Sequence, residues 1–321
     1  MKIRLLSAVA GALALLSSTS CSHTSWDQDL PDKPVYYFNS TEDDTFIAVN
    51  KIGTETWTTY RGAKYVLIYD ENDNSATLQI SDMQYGPAET DRLTMTLAYM
   101  PQASFTDPNK KGAKHSDPVT LGSGSTSSVT ISNISICTLL DQQRTFGTKD
   151  DAQGNPVPVE VGAQTFISFT INGTYNVRVI QKQNYFYGVT TSVCTNGEFA
   201  PFTTTKANYR LTLDYKTMKA NLTIENAQFV SNMPEGITMT FPAIDFTVTG
   251  NGISLLSSEL TPVYNSIPMP AYKVTTLTGN VINEDRLTLN FTCPEVPIPM
   301  NSDNKYSFNV SANLPYSLSA R

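Results

Sequence analysis

Residues 65–97 and 209–241 are two copies of one sequence pattern, and this repeat limits the chain to few folds. Many shared apolar residues alternate with polar ones, which is the period of a β-strand with one buried face. A repeat of this length indicates two domains of the same β fold and not a solenoid. The copies align without a gap at an offset of 144 residues, with identical pairs at Tyr65/Tyr209, Leu67/Leu211, Asp70/Asp214, Ala76/Ala220, Leu78/Leu222, Ile80/Ile224, Gln84/Gln228, Thr94/Thr238, Met95/Met239 and Thr96/Thr240.

Similar alternating segments, bounded by turn residues, recur along the rest of the chain. Charged residues make up only 16% of the 321 residues, while Thr, Ser, Asn, Tyr and Val are abundant, as strands prefer. We predict an all-β protein of two tandem antiparallel β-barrel or sandwich domains related by internal duplication, at 35–172 and 173–321. The segments lie at 65–70, 76–80, 92–97, 129–136, 165–171, 175–180, 209–214, 220–224, 237–241, 273–279, 286–291 and 306–310.

Beyond the gapless repeat, two further correspondences between the halves are weaker. Each half has a strand that ends in a cysteine, Cys137 and Cys293, and residues 167–169 resemble residues 306–308. We predict that these are equivalent positions whose register has shifted through differences in loop length. Buried free thiols are favoured for Cys137 and Cys293, with a bridge from Cys194 to Cys293 as the alternative.

The amino-terminal residues predict an export signal and a lipid anchor. A basic stretch at 1–4 precedes an apolar stretch at 5–16 that is too short to span a bilayer, so 1–20 is expected to be a signal peptide. The junction Ser-Thr-Ser-Cys ending at Cys21 resembles a bacterial lipobox, and 21–34 would be a lipidated cysteine and polar tether. Ser22 resembles the pattern that sorts lipoproteins to the outer membrane. Periplasmic and surface-facing orientations both stay open.

Charge and residue counts exclude several function classes. The formal charge of −7 argues against a nucleic-acid partner, which requires a basic face. The two histidines, His23 in the tether and His115 in a lysine-rich loop, offer no metal or triad constellation, and no phosphate-binding glycine motif occurs. Asp70 and Asp214 are expected to shape hairpin turns, not to bind calcium. We expect no enzyme activity, no cofactor and no metal site, with a pair of carboxylates as the remaining catalytic alternative.

Aromatic and proline-stiffened segments are the candidate binding surface. Trp57 is the only tryptophan in the folded body, and the segment at 184–188 places Tyr185 and Tyr187 on one face of a strand. Met269 and Met300 stand beside prolines in two loops. We predict a non-catalytic binding module for a small amphiphilic or glycan ligand. The alternative is a cell-surface adhesin or a structural assembly component.

One resemblance to a known family rests on the junction, the tether and the strand pairs of the second half. The segments ANLTIENAQF and GITMTF, and then KVTTLTGNVINEDRLTLNF, resemble the calycin-like β-barrel lipoproteins of Bacteroidetes. The resemblance implies lipid-anchored, lipocalin-like antiparallel barrels in tandem, and it supplies no catalytic residues. It covers the second half directly and the first half through the repeat.

Lipidation can be tested by replacing the cysteine at the junction. We expect Cys21→Ala to move the protein from the membrane fraction to the soluble fraction, because several acyl chains are needed for stable anchoring. Cys194→Ala is the matched control and should stay with the membrane. Unchanged partition of Cys21→Ala, together with an unmodified polypeptide mass for the parent protein, would contradict lipidation.

Overall fold

The computed structural model of the protein describes residues 33–103, 110–115, 117–121, 129–139, 145–150, 153, 156–160, 164–282, 286–300 and 302–315. The expected signal peptide, Cys21 and most of the tether lie outside these residues. Among the residues described, every regular element except the short 3₁₀ turn at Pro270–Tyr272 is a β-strand. No helix in this part of the chain is long and apolar enough to cross a bilayer.

The strands of the first half are β1 Val35–Ser40, β2 Thr45–Lys51, β3 Trp57–Arg61, β4 Lys64–Asp70, β5 Ser75–Gln84, β6 Arg92–Ala103, β7 Lys110–His115, β8 Val119–Leu121, β9 Val129–Leu139, β10 Thr145–Asp150, β11 Pro156–Glu160, β12 Gln164–Ile171 and β13 Tyr175–Gln181. The strands of the second half are β14 Gln183–Tyr187, β15 Val189–Cys194, β16 Phe202–Thr204, β17 Asn208–Asp214, β18 Lys219–Ala227, β19 Ile237–Thr249, β20 Gly252–Leu260, β21 Val263–Tyr264, β22 Ile267–Pro268, β23 Val274–Ile282, β24 Arg286–Pro297 and β25 Lys305–Pro315.

Two large antiparallel sheets have the same strand order. Within the described residues the first sheet follows the path β1-β4-β5-β6-β7-β9-β12-β13-β2-β3, and the second follows β14-β17-β18-β19-β20-β23-β24-β25-β15-β16. The paths correspond strand for strand, with β8 attached beside the first and β21 and β22 beside the second. Strands β10 and β11 form a separate hairpin. The predicted all-β fold with two related antiparallel halves is therefore confirmed.

The register of the repeat is also the same in both sheets. Leu67 pairs with Leu78 in the first sheet, and Leu211 pairs with Leu222 in the second. The bulges coincide as well, since the register shifts between Ile80 and Met83 and again at the corresponding point after Ile224. A bulge bends its strand, so bulges at equivalent points bend the two sheets at equivalent points. The gapless alignment of the sequence thus reflects identical pairing in space.

Each sheet is closed into a barrel by a segment that pairs with both of its ends. Strands β14 and β15 are separated only by Gly188, where φ is 150°, a backbone conformation that favours glycine. The part before the glycine pairs with β17 and the part after it pairs with β25. In the first sheet β1 and β2 make the same two pairings, with β4 and β13, across a short turn. We call the two sheets the first barrel and the second barrel.

The interiors of both barrels are filled with apolar side chains. Leu78 and Leu222 have no exposed surface, and Ile80 and Ile224 are each 1% exposed, so the predicted equivalence of their core faces is confirmed. The inner residues of the first barrel form one cluster that draws on strands from both ends of the sheet path, including Val49 of β2. Large inward side chains can fill the interior of a small barrel completely, so each barrel has a packed core.

The sequence interpretation of the hairpin turns is confirmed by their hydrogen bonds. The Asp70 carboxylate accepts a bond of 2.8 Å from the backbone N–H of Asn72, and Asp214 accepts one of 3.0 Å from the N–H of Lys216. The hydroxyl of Thr217 also donates to Asp214 and, with these backbone bonds, holds the pKa of that carboxyl below its usual value. Both aspartates therefore stabilise turns by side-chain to backbone bonding.

The correspondences predicted outside the gapless repeat are wrong. Cys137 lies on β9 and Cys293 on β24, and β24 corresponds to β12, so the cysteines are not equivalent. Residues 306–308 belong to β25, which corresponds to β13 and not to the strand that holds 167–169. None of the three cysteines in the described part of the chain forms a disulfide, and burial raises the pKa of the Cys293 thiol to about 12.

The change from one sheet to the other occurs at Lys182. Strand β13, Tyr175–Gln181, is hydrogen-bonded within the first sheet, and β14 begins the second sheet at Gln183. The boundary expected at 172–173 falls in the turn between β12 and β13. The division of the chain into separately folding domains stays a prediction.

The shared core positions predict equal costs for equivalent substitutions. We expect Leu78→Ala and Leu222→Ala each to lower the free energy of unfolding by about 2–5 kcal/mol, because both remove a fully buried side chain and leave a cavity. Leu256→Ala is the matched control, since Leu256 is 62% exposed and should change stability by less than about 0.5 kcal/mol. Urea unfolding measures all three. A cost for Leu222→Ala as small as that of the control would contradict the assigned core face.

Candidate functional site

The two barrels contact each other along the outer face of β2 and β13. Phe46, Ala48 and Ile180 point away from the first core and belong to the buried cluster of the second barrel. The ring of Phe46 stacks on Tyr215 with a centroid distance of 5.6 Å. Both faces of β2 are therefore buried over most of its length, which explains its nearly continuous burial.

A buried side chain also ties the barrels together by hydrogen bonds. Gln164, at the start of β12, is 4% exposed. Its Nε2 donates to the carbonyl oxygen of Tyr185, and its Oε1 accepts from the Tyr185 N–H, both at 3.1 Å. The amide pairs with the backbone N–H and carbonyl group of Tyr185 as a neighbouring strand would. These two bonds fix the position of β14 in the second barrel relative to β12 in the first barrel.

Beside this contact lies an open groove of about 790 Å³, which we call the interbarrel groove. Its floor is the outer face of β2, β13, β12 and β9 in the first barrel. One wall is formed by residues 247–250 of the second barrel, which are the end of β19 and the first residue of the turn that follows it. The lining side chains include Asn50, Trp57, Asn133, Ser168, Thr170, Asn176 and Arg178. A cleft between two walls is where ligand sites commonly form.

The floor of the groove consists of hydroxyl and amide groups on neighbouring strands. Asn133 donates to the Thr170 hydroxyl, and that hydroxyl donates to Oδ1 of Asn176, both at 3.4 Å. Asn50 donates from Nδ2 to the carbonyl oxygens of Thr54 and Thr56, at 2.8 and 2.9 Å. The second pair of bonds holds the β2–β3 turn, which leads directly into Trp57.

Trp57 and Arg178 form the side of the groove where the barrels meet. The guanidinium carbon of Arg178 lies 5.3 Å from the centroid of the Trp57 ring, within the range of a cation–π contact. Nη2 of Arg178 donates to the carbonyl oxygen of Gly250 in the wall of the groove. The indole is half-buried and packs against the cluster of the second barrel. Arg178 thus links the floor, the ring and the wall.

The groove lining does not present a catalytic pair of acids. Among its described residues, Glu55 is the single carboxylate, and the lining contains no histidine or cysteine. Glycoside hydrolysis normally requires two carboxyl groups about 5 to 9 Å apart. The groups that are present can donate and accept hydrogen bonds and contact an apolar face, but they do not supply a proton acceptor and donor pair.

His115 lies away from this groove and on a strand. The lysine-rich segment expected to be a surface loop forms β7, which pairs with β9, so the loop prediction was wrong. The ring atom Nδ1 of His115 is 3.0 Å from the carbonyl oxygen of Asp117. Gly112 and Ala113 are buried within the strand, and Lys111 lies on the same row as the core residue Ala113. The segment therefore has no apolar alternation that the sequence could reveal.

The five predicted ligand-contacting residues are not brought together. Trp57 lines the interbarrel groove, whereas Tyr185 and Tyr187 are 9% and 4% exposed and form a small buried cluster. Burial raises the pKa of Tyr185, whose hydroxyl donates to Gln183. Met269 is half-buried beside the 3₁₀ turn, and Met300 is exposed in the loop after β24. Alternation correctly placed Tyr185 and Tyr187 on one face of the strand, opposite Phe186, but it did not indicate that both faces are covered.

Sequence reasoning missed the polar floor of the groove. Asn176 and Arg178 alternate with the core residues Val177 and Val179, so their outward direction could be predicted. The signal was the pair of polar residues, Asn176 and Arg178, that precedes the apolar Ile180 on the outer face of the strand. What the sequence did not show is that a second barrel stands beside this face and turns it into a groove.

Comparisons with known proteins give no family assignment. No protein-family model matches the sequence, and no curated protein matches it. Matched solved structures include isotype 1 transferrin binding protein B from serogroup B Neisseria meningitidis, with a TM-score of 0.24 and 10% identity over 80% of this chain and 66% of that chain. Another is a double mutant of transferrin binding protein B, a vaccine antigen from Haemophilus parasuis Hp5, with a TM-score of 0.24 and 7% identity over 89% of this chain and 76% of that chain.

This chain spans less than two thirds of the length of the Neisseria structure. Both TM-scores are too low to support an inference about this protein. The resemblance to calycin-like lipoproteins of Bacteroidetes stays a prediction.

The contact between Arg178 and Trp57 can be tested by fluorescence. In a Trp26→Phe background Trp57 is the remaining tryptophan, and we expect Arg178→Ala to shift its emission to the red as water reaches the ring. The lost charged hydrogen bond should lower the free energy of unfolding by about 1–3 kcal/mol. Arg286→Ala, at an exposed position, is the control and should change neither quantity. Unchanged emission in Arg178→Ala would contradict the contact.

Proposed function

We propose that this protein is a lipid-anchored outer-membrane binding protein that holds a neutral glycan in the interbarrel groove without converting it. The observation that carries the proposal is the composition of the groove. A half-buried indole stands beside a floor of Asn, Ser and Thr side chains on rigid strands. The proposal also includes removal of the signal peptide before Cys21, a lipidated tether at 21–34, and the division of the rest of the chain into two domains.

The chemistry of a sugar ring fits these two kinds of surface. A pyranose has an apolar C–H face, which packs on an aromatic ring, and hydroxyl groups around its edge that both donate and accept hydrogen bonds. Trp57 supplies a ring, and Asn and Thr side chains supply both donors and acceptors. Because the floor groups belong to paired strands, little conformational freedom is lost when a ligand binds.

The packing of the two barrels favours a glycan over a small amphiphile. An apolar ligand of a barrel would occupy the interior, and here inner side chains such as Leu67 and Leu211 are fully buried in the two cores. The groove lies outside both cores and is lined largely by polar groups. The ionic side chains of its lining have opposite charges, Glu55 and Arg178, which supports an uncharged ligand.

A second candidate function, adhesion to a macromolecule, is favoured by an exposed hairpin. Strands β21 and β22 pair Tyr264 with Ile267, and these side chains are 51% and 67% exposed. The segment 260–272 around them contains no charged residue. Exposed apolar side chains grouped in this way mark contact sites more often than single ones do. Loss of cell-surface adhesion in Tyr264→Ser, with glycan binding unchanged, would support this candidate.

Native electrophoresis in gels that contain one neutral polysaccharide tests glycan binding. Starch, xylan, mannan and mixed-linkage β-glucan are the probes, and a polymer-free gel is the reference. We expect at least one polymer to retard the Trp26→Phe variant and to change the emission of Trp57 in solution. Trp57→Ala should weaken this binding tenfold or more, about 1.4 kcal/mol, because it removes the ring.

Two controls make the outcome decisive. Trp26→Phe lies in the tether and should bind as the parent does. Release of reducing sugar from the retarding polymer would show that the protein is an enzyme. Unretarded migration in all four polymers, or equal retardation of Trp57→Ala and the parent, would contradict glycan binding in the interbarrel groove.

A further inference from the structure

The second barrel has a groove of its own, which we call the barrel-2 groove. It is open, has a volume of about 360 Å³ and lies on the outer face of β15, β25, β24 and β23. Its polar lining includes Thr276, Thr278, Asn290, Thr292, Asn309 and Ser311. These four strands correspond in the duplicated order to β2, β13, β12 and β9, which form the floor of the interbarrel groove.

The correspondence extends to individual side chains. In the first barrel Thr170 pairs with Asn176 across β12 and β13, and its hydroxyl donates to Asn176 at 3.4 Å. In the second barrel Thr292 pairs with Asn309 across β24 and β25, and its hydroxyl donates to Asn309 at 2.9 Å. The residues next to each pair, Phe169 with Val177 and Phe291 with Val310, face the cores in both barrels.

Polar residues on the outer face of a barrel are common, so polarity alone does not indicate a site. The distinguishing feature is the absence of charge. None of the described residues that line the barrel-2 groove is ionisable. The outer face of β18 and β19 in the same barrel is different, since Lys219 and Asp245 form a salt bridge of 2.6 Å there. An uncharged array of hydroxyl and amide groups matches a ligand that is itself neutral and rich in hydroxyl groups.

We infer that the barrel-2 groove is a second site for the same class of neutral glycan, so that the protein holds a polysaccharide at two points. This inference rests on the proposed function for the ligand class. The position of the site rests on the repeated Thr–Asn pair. The single aromatic residue among its described lining residues, Phe291, turns its side chain to the second core, and no described residue of the first barrel lines the groove. The affinity of this groove for one sugar unit is therefore lower. On a polymer, the two sites raise each other's effective concentration and give avidity.

A pair of double variants on the same two strands tests the second site. Thr292→Val/Asn309→Val removes the hydrogen-bonded Thr–Asn pair from the lining of the barrel-2 groove and keeps residues that favour strands. Thr288→Val/Asn313→Val is the matched control, because Thr288 and Asn313 also pair across β24 and β25 but do not line the groove. Both are measured with Trp57→Ala in the same four polysaccharide gels. Unfolding temperatures close to that of the parent confirm that each variant is folded.

The outcomes distinguish failure of the second site from failure of the proposed function. We expect Thr292→Val/Asn309→Val to weaken polymer binding about fivefold or more, to abolish the residual binding of Trp57→Ala, and to leave short oligosaccharides bound at the interbarrel groove. The control should bind as the parent does. If the polymer binds in a Trp57-dependent way and Thr292→Val/Asn309→Val has no effect, the second site is wrong and the proposed function stands. If no polymer retards the parent protein, both are wrong.

Discussion

The structure depends on the two-sided burial of β2 and β13. Their inward side chains, Val49 and Val177 among them, fill the first core, while Phe46 and Ile180 on the outer face enter the cluster of the second barrel. Side chains on one face recur at every second residue, so the same outer rows continue along the strands to Asn50 and Asn176. The change from apolar to polar along these rows ends the contact between barrels. The groove is the space that begins where that contact stops.

Strands β15 and β25 of the second barrel correspond to β2 and β13, and they show which side chains the contact between the barrels requires. By register, Phe46 and Ile180 correspond to Val189 and Asn313 in the second barrel, where the pairing of β2 with β13 is repeated by β15 with β25. Val189 and Asn313 are exposed, and nothing described in the structure packs against that row. One copy of the face therefore carries Phe46 and Ile180, and the other carries the smaller Val189 and the polar Asn313. Burial against a partner barrel is the physical difference between them.

The sequence predicts the parts of the structure that depend on local alternation and turn chemistry. Leu78 and Leu222 could be placed in equivalent cores, and Asp70 and Asp214 in equivalent turns, because both depend on residues close in the chain. The cover over Tyr185 and Tyr187 could not be predicted, since it requires knowing which surface of the other half lies opposite. The wrong equivalence of Cys137 with Cys293 has a related cause, because loops of unequal length separate strands whose alternation is too common to be specific.

The groove combines residues that no local pattern connects. Trp57 follows a turn of the first barrel, and Arg178 lies on a central strand. Gly250 belongs to a turn of the second barrel, yet one guanidinium contacts the indole and donates to the glycine carbonyl. A contact of this kind fixes the floor and the wall relative to each other before a ligand arrives. Pre-organised groups lose less entropy on binding, so a shallow groove without deep apolar pockets can hold a well-hydrated ligand with useful affinity.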